Sequence, residues 1–348
     1  MNAAEGDETQ YETLLRTLFL PPGLQAESRL ARTAASATLP PAMIINSTTS
    51  KLVWVMLLHT VLGLPWAVTA AEEPTEERFI PNYAAGDAYY LWSTRTDLEL
   101  VAGATVQVQE AGFKAPVPVF SNERSRLTAG VQLRWNVLDF ERSPTFGDSL
   151  DLYRLQLPID FWHSFDDRWK AWGRVEPGLF TDFENVDDDA FAVTVLAVGS
   201  YQFTPQFSAA FGVYYSRDLG EDRVLPALGV IWKPDPHWNV GLTFPRATVS
   251  YAPTPAWLFS AFAGPGGAGW SVADPATGEN RRLNYTSWRG GLGAEYQFAK
   301  VGPAGLWVFL AGGYQFRQEL EIKDGDTSLL ETDLGNGQFV TGGIRLRF

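Results

Sequence analysis

Residues 127–137 read LTAGVQLRWNV, a run in which apolar residues alternate with polar or small ones. A period of two places successive side chains on opposite faces of a β-strand. One face carries Leu127, Ala129, Val131, Leu133, Trp135 and Val137. The same alternation recurs at residues 153–161 and 306–317, and no segment after residue 71 keeps the helical period of about 3.6. The sequence therefore predicts an all-β protein.

The length of these runs favours a membrane barrel over a soluble β-sandwich. The runs span about 9–13 residues, whereas soluble strands average about 5–6 and a tilted strand needs about 9–11 to cross a bilayer. Short turns alternate along the chain with mostly longer polar connections, which is typical of transmembrane β-barrels. Aromatic residues, which concentrate at membrane interfaces, flank the short turns. They are Phe161, Trp162, Trp169, Phe203, Phe207, Trp232, Trp238, Trp257 and Phe298.

The composition excludes several classes of protein. The chain has 348 residues, of which 14% are aromatic and 19% charged, and it contains 13 Trp and no Cys. The absence of Cys excludes a disulfide scaffold, a thiolate zinc site and a cysteine nucleophile. The net charge of −13 argues against non-specific binding of nucleic acid, which needs a basic surface.

The N-terminal region carries a predicted secretory signal. Lys51 precedes the apolar run LVWVMLLHTVLGL at residues 52–64, and residues 68–70 read Val-Thr-Ala. A basic residue, a short apolar core and a small-x-Ala stop are the parts of a signal peptide. We therefore predict cleavage after Ala70 and export from the cytoplasm.

This signal divides the chain into four predicted regions. Residues 1–42 are either a mis-called extension or a leader, with translation starting at Met1 or Met43. Residues 43–70 form the signal peptide, and residues 71–86 are predicted to be a disordered acidic N-terminus. Residues 87–348 form the barrel. Counting the alternating runs from residue 97 gives about 13, and an N-terminus on the periplasmic side needs one more strand, near residues 88–94. We therefore predict 14 strands, an even number as is the rule in bacterial barrels, with 12 as the alternative.

The C-terminus provides the most specific motif. The chain ends Thr341-Gly342-Gly343-Ile344-Arg345-Leu346-Arg347-Phe348. This stretch resembles the terminal signal of bacterial outer-membrane β-barrel proteins, with Thr341, Gly343, Leu346 and Phe348 in the polar, glycine, hydrophobic and terminal aromatic places. The resemblance implies recognition by the barrel-assembly machinery and closure of the last strand onto the first, which is a form of β-augmentation.

A second resemblance covers residues 225–232, 237–245 and Tyr251. These stretches resemble an uncharacterised family of predicted outer-membrane barrels that carries a domain of unknown function. The resemblance implies a barrel surrounded by lipid in the bacterial outer membrane, and it implies no activity.

Several charged residues are predicted to face the lumen. They are Arg134, Arg154, Lys170, Arg174, Glu176, Arg289, Glu295, Arg317, Arg345 and Arg347. One interpretation is a constriction that favours anions. The other is a network of ion pairs in which Glu176 and Glu295 are the partners, and the mixed signs favour this network.

No catalytic, metal or cofactor site is predicted. The candidate bases His163 and His237 fall on different hairpins, so the chain is not expected to be an enzyme. The acidic stretch Asp187-Asp188-Asp189 is interpreted as a solvated loop. Residues 264–282, which begin Gly-Pro-Gly-Gly, are interpreted as a flexible loop because the Lys-Ser/Thr of a phosphate cradle does not follow.

Three functions remain open at this point. The leading hypothesis is passive passage of small solutes through an outer-membrane barrel. The second is a closed barrel whose loops act at the surface in adhesion or envelope structure. The third is a secreted soluble β-sandwich that binds glycans. The sequence does not identify a solute, a ligand or an oligomeric state.

Overall fold

The computed structural model describes residues 79–80, 84–143, 148–274 and 277–347. It contains seventeen strand segments in one sheet, antiparallel except for a single bridge. The predicted signal peptide, its cleavage after Ala70, the extension before it and the terminal Phe348 lie outside the described residues. The segments are β1 (Ala84–Ser93), β2 (Thr96–Asp97), β3 (Thr105–Ser121), β4 (Ser125–Glu141), β5 (Ser149–Gln156), β6 (Ile159–Ser164), β7 (Trp169–Thr181), β8 (Phe191–Thr204), β9 (Phe207–Leu219), β10 (Glu221–Trp232), β11 (Trp238–Thr243), β12 (Arg246–Thr254), β13 (Trp257–Ala273), β14 (Asn280–Val301), β15 (Ala304–Asp324), β16 (Thr327–Leu334) and β17 (Gly337–Arg347).

These segments form a closed barrel of 14 strands. Three pairs of segments, β1 with β2, β5 with β6 and β16 with β17, are interrupted single strands, and each pair shares its neighbours in the sheet. The ring closes where β17 pairs with β1, from Asp87 opposite Arg345 to Ser93 opposite Phe339. The prediction of an all-β, up-and-down barrel with 14 strands is therefore confirmed. Neither the soluble β-sandwich nor the 12-stranded alternative is the observed architecture.

The outer wall of the barrel is apolar, as a lipid-facing surface requires. Of the nine aromatic residues that flank the short turns, eight are exposed on this wall. The exception is Trp162, which was predicted to be among them but faces the lumen, where its ring stacks on that of Trp172. Within the described part of the chain, no helix is long and apolar enough to span a membrane.

The end of the barrel opposite the short turns is closed by side chains. Residues 264–273 and 280–285 were predicted to lie in or beside a flexible loop, but they belong to β13 and β14. The outer part of β13 leaves the wall and reaches β7, where Ser271 bridges Thr181. Gly267 permits this path because its φ is +106° and a Cβ there would lie 2.0 Å from the carbonyl oxygen of Tyr285. The glycine-rich stretch is therefore a site of close packing.

The inward turn of β13 creates a hydrophobic core across the outer end. Trp270 and Tyr285 are each 1% exposed at its centre. Residues from the opposite wall complete the core, and they include Val106, Leu138, Leu152 and Phe180. Cores of buried apolar side chains are generally densely packed, so within the described residues this cluster is an obstacle on the barrel axis.

The short-turn end holds a segment that was predicted to be disordered. Phe79 and Ile80, within the predicted region 71–86, pack against the side chains of Ala252, Leu258 and Trp307. These two apolar residues follow an acidic stretch in the sequence. Their apolar contacts hold them against the short-turn end of the barrel. The first strand also begins at Ala84, three residues before the predicted start of the barrel.

Candidate solute cavity and side opening

The barrel wall is incomplete beside the hairpin of β11 and β12. Strand β11 has 6 residues, whereas a tilted strand needs about 9–11 to cross a bilayer. Residues 221–227 of β10 continue beyond the hairpin tip and pair with β9, and the Leu228 carbonyl oxygen accepts from the Phe244 N–H at 2.8 Å. On the other side, β13 pairs with β12 only as far as Ala263. Strand pairing is thus interrupted between residues 221–227, 243–246 and 264–268, and this interruption is called the side opening. Beyond it β13 packs against the turn between β9 and β10, where a Cβ on Gly269 would lie 2.1 Å from the Gly220 carbonyl oxygen.

A lumen cavity of about 650 Å³ reaches this side opening. Leu228 and Phe244 line the cavity, although 55% and 46% of their surfaces are exposed. Two side chains that line the cavity are therefore also exposed at the level of the hairpin tip. The cavity extends towards the short-turn end, where Trp162 and Lys170 line it. We call it the large cavity.

A second cavity, of about 470 Å³, lies on the other side of the lumen and is called the small cavity. Both cavities are lined by Asp87, Tyr89, Arg134 and Arg246. Arg246 stands at the hairpin tip, and its side chain is 57% exposed while its Nη2 lies 3.5 Å from Asp218 Oδ2. This arginine is therefore positioned at the side opening and beside both cavities.

Glu295 is the centre of an ion-pair cluster in the small cavity. Its carboxylate accepts hydrogen bonds from Arg345 Nη1 at 2.7 Å and from Arg347 Nε at 2.7 Å. Arg345 Nε also lies 3.6 Å from Asp87 Oδ2. The two arginines of the C-terminal motif thus face the lumen, because they alternate with the lipid-facing residues of β17.

A second ion-pair cluster lies in the large cavity around Arg174. Its Nη2 donates to Asp160 Oδ2 at 3.0 Å, and its Nη1 lies 3.3 Å from Glu176 Oε1. The guanidinium also lies 5.1 Å from the ring centre of Trp172, a cation–π distance. Arg174 and Glu176 are neighbours on one face of β7, and Arg174 binds the carboxylates of both Glu176 and Asp160.

Arg154 and Arg289 are held deeper in the barrel. Arg154 is 2% exposed, and its Nη1 donates to Asp218 Oδ1 and to the carbonyl oxygen of Gly267, each at 3.2 Å. Arg289 Nη1 lies 3.6 Å from Glu110 Oε2, and Arg289 Nε donates to Gln315 at 2.7 Å. Arg154 therefore ties β5 to the inward part of β13, which is a structural role.

Three other basic side chains in the lumen differ from these arginines in their lack of a nearby carboxylate. Among the described residues, Lys114, Arg134 and Lys170 have no carboxylate oxygen within 4.0 Å. All three line the large cavity, and Arg134 lines the small one as well. They are the basic groups available to a solute in the lumen.

Arg317 was predicted to face the lumen, but it is exposed. Its φ is +49°, and the alternation of buried residues changes there, with Gln315 and Gln318 buried and Phe316 exposed. A local irregularity of the strand shifts the faces by one residue. The simple period of two cannot anticipate this shift.

Several lumen residues escaped the sequence prediction. They are Asp87, Glu110, Lys114, Asp160, Asp218 and Arg246. The alternation places Glu110 and Lys114 on one face of β3, so extending the period through that strand would have found both. No local signal marks Asp218 or Arg246, because their roles depend on the side opening.

The two histidines remain on separate hairpins. His163 Nδ1 lies 2.9 Å from Ser125 Oγ, a contact that the sequence did not predict. Within the described residues, no carboxylate is recorded as a hydrogen-bond partner of His163, and no group of three or more His, Asp or Glu side chains is placed to hold a metal ion. His237 Nδ1 lies 2.7 Å from the carbonyl oxygen of Ala252.

The acidic loop between β7 and β8 is fastened to the inward hairpin of β13 and β14. Asp187 Oδ1 accepts from Ser271 Oγ at 2.9 Å, and Asp182 Oδ2 accepts from the Ala273 N–H at 2.8 Å. Burial opposes ionisation of Asp187, but hydrogen bonds from Asn280, Ser271 and the backbone more than offset it and lower the pKa of this carboxyl. The loop, predicted to be solvated, therefore uses two carboxylates as anchors.

Closed pairing, an apolar wall and a charged lumen define a transmembrane β-barrel of the outer-membrane type. Residues 97–340 match the family described as a domain of unknown function, DUF6268. The chain belongs to this family, which confirms the predicted resemblance to an uncharacterised barrel family. A comparison with curated proteins found no match.

Solved structures of other outer-membrane proteins are similar to this chain. The translocator domain of the autotransporter NalP from Neisseria meningitidis is 12% identical, with 86% of this chain and 96% of that chain covered and a TM-score of 0.37. An outer membrane channel from Pseudomonas putida F1 is 10% identical, with 79% and 100% covered and a TM-score of 0.40. A FadL homologue from Pseudomonas aeruginosa is 12% identical, with 79% and 76% covered and a TM-score of 0.31.

Proposed function

We propose that this barrel allows the passive passage of small solutes across the outer membrane, by way of the side opening and the large cavity. The observation that supports this route is the short hairpin of β11 and β12, because Leu228 and Phe244 beside its tip are exposed and also line the large cavity. The hydrophobic core closes the outer end, so a solute would enter through the wall and leave at the short-turn end.

The dimensions of the large cavity support a small solute. Its volume of about 650 Å³ falls in the range of about 300–1,000 Å³ that is usual for small-molecule sites. Apolar and charged side chains share its lining, which suits molecules that are partly hydrophobic. Passage would be passive because a barrel of this kind has no source of energy of its own.

Solute uptake by liposomes tests the proposal directly. The full chain, folded in detergent, would be reconstituted into liposomes and exposed to isotonic phenyl β-glucoside, a small neutral solute with an aromatic part, and swelling would be followed by light scattering. We expect swelling faster than in liposomes without protein. Equal rates, with folded barrel verified by its heat-dependent gel mobility, would overturn the proposal.

A closed barrel with a surface role is the second candidate. Its supporting observation is the outer core around Trp270 and Tyr285, which seals the axial path, together with the anchored acidic loop. This candidate predicts no uptake of any solute and a barrel that is stable in vesicles. The same liposome measurement therefore distinguishes the two functions.

A further inference from the structure

The large cavity combines an aromatic wall with basic side chains. The rings of Trp162 and Trp172 stack with centroids 6.0 Å apart and an interplanar angle of 7°. Phe113, Leu196, Val198 and Ile231 add apolar surface to the same cavity. The aromatic ring or alkyl chain of a bound molecule could therefore lie against this wall and form favourable contacts with it.

The charge of the large cavity is positive. Five basic and three acidic side chains line it. Each of the three carboxylates already has a basic partner: Asp87 has Arg345, Glu176 has Arg174, and Asp218 has Arg154 and Arg246. The basic side chains without a carboxylate within 4.0 Å are Lys114, Arg134 and Lys170, counted over the described residues.

Two of these cations are neighbours on one part of the wall. Lys114 of β3 is directly opposite Gln132 of β4, and Arg134 is two residues further along the same face of β4. Such diagonal positions lie within about 8 Å of each other. Their side chains can therefore reach one anionic group together, and both hydrogen-bond and charge interactions with that group are strong in a partly desolvated site.

The aromatic wall continues from the same strands. Trp162 of β6 is opposite Arg126 of β4 and opposite Trp172 of β7. Lys170 follows on β7 at the short-turn end of the cavity. The order from the middle of the barrel towards its end is thus cationic, then aromatic, then cationic.

We propose that the large cavity binds an organic anion that carries an aromatic or apolar body. Lys114 and Arg134 bind its carboxylate, and the body rests on Trp162 and Trp172. Lys170 attracts the anion at the short-turn end. This inference rests on the proposed function, since it names the class of solute that would occupy the route.

Binding of 2-naphthoate to the full chain in detergent tests the inference, measured by isothermal titration calorimetry. The neutral isostere 2-naphthamide and the small anion acetate serve as comparison ligands. We expect naphthoate to bind at least tenfold more tightly than either of them. Equal binding of naphthoate and naphthamide, or no binding of naphthoate, would overturn the inference.

Variants assign the binding to the named residues. The double variant K114Q/R134Q should weaken naphthoate at least tenfold and leave naphthamide unchanged, whereas W172L should weaken both ligands by a similar factor. R95Q is the matched control, because Arg95 is paired with Asp139 and lines neither cavity. If K114Q/R134Q does not fold, the single variant K170Q should weaken naphthoate two- to fivefold. Unchanged naphthoate binding in the folded variants would contradict the assignment.

Uptake of phenyl β-glucoside by liposomes, measured in parallel, separates this inference from the proposed function. Uptake without naphthoate binding would refute the anion site and leave passage supported. Naphthoate binding without any uptake would support the anion site and refute passage.

Discussion

Arg134 and Arg154 lie directly opposite each other across β4 and β5, yet their surroundings differ. Like charges in such positions repel, and Arg154 offsets this repulsion through Asp218 and the carbonyl oxygen of Gly267, each 3.2 Å from its Nη1. Arg134 lines both cavities instead. One arginine therefore holds the inward strand in place, and the other is available to solutes.

The first prediction separates these two roles by stability. Arg154→Met should lower the free energy of unfolding by about 2–4 kcal/mol, because breaking a buried ion pair is costly. Asp218 would then keep Arg246 as its one basic partner within 4.0 Å among the described residues, beside the hydrogen bond from the Tyr214 hydroxyl. Arg134→Gln should change it by less than about 1 kcal/mol, the usual scale for a residue without such a partner. Urea unfolding of both variants in lipid vesicles measures the two changes in the free energy of unfolding. A larger loss for R134Q than for R154M would contradict the assignment.

The second prediction concerns the inward turn of β13. Gly267→Ala should destabilise the closed outer end by at least about 2 kcal/mol, since its φ of +106° and a contact of 2.0 Å with the Tyr285 carbonyl oxygen exclude a Cβ. Proteolysis of the folded barrel should then cut within residues 264–285.

Gly278→Ala is the matched control for this prediction. Gly278 also has a positive φ, of +72°, but a Cβ there meets nothing within 4 Å. The cost of its backbone conformation alone is about 1–2 kcal/mol. Equal protease resistance of G267A and the wild type would show that the outer end does not depend on this turn.

The third prediction concerns ion selectivity. Glu295 neutralises Arg345 and Arg347 in the small cavity, so among the described residues Glu295→Gln should leave Arg347 without its carboxylate and Arg345 with Asp87 alone. The anion-to-cation permeability ratio should rise, as measured by the reversal potential in a KCl gradient across a planar bilayer. Glu279→Gln is the control, since Glu279 is 70% exposed at the outer end. A ratio that falls, or that rises equally in E279Q, would contradict this role.

The fourth prediction concerns pH. Hydrogen bonds lower the pKa of Asp187 in the folded barrel, so its contribution to stability is present above the pKa of an unfolded Asp, about 3.9. That contribution is lost as the pH falls through the lower pKa of the folded state. Hydrogen exchange of amides in residues 268–273 should therefore accelerate below about pH 4.

Asp187→Asn provides the control for the pH prediction. The amide keeps a hydrogen-bond acceptor for Ser271 but does not titrate, so the additional acceleration at low pH should be absent in D187N. An identical pH profile for D187N and the wild type would contradict this role of Asp187.

The alternation of residues predicts the wall of the barrel well because lipid imposes a strict rule on one face of each strand. Residues 127–137 and 341–347 therefore lie where the period of two places them. The same rule explains why Arg345 and Arg347 were predicted to face the lumen.

Other features depend on contacts that no local pattern records. The inward path of β13 depends on Gly267, which in sequence is indistinguishable from a loop glycine. Tryptophan is common at membrane interfaces, yet the position of Trp162 in the alternation of β6 places its side chain in the lumen. The side opening results from the shortness of β11. A short strand followed by Pro245 does not by itself predict an opening in the wall.

Chemical blocking of the side opening tests the central claim most directly. Because the chain has no Cys, Phe244→Cys provides a single thiol at the rim, and Phe203→Cys provides a control thiol that is 56% exposed on the outer wall near a short turn. Each variant would be labelled with a bulky maleimide before reconstitution, and uptake of phenyl β-glucoside by the liposomes would be measured. We predict at least a fivefold loss of uptake for labelled F244C and none for labelled F203C. Unchanged uptake through fully labelled F244C would contradict passage through the side opening.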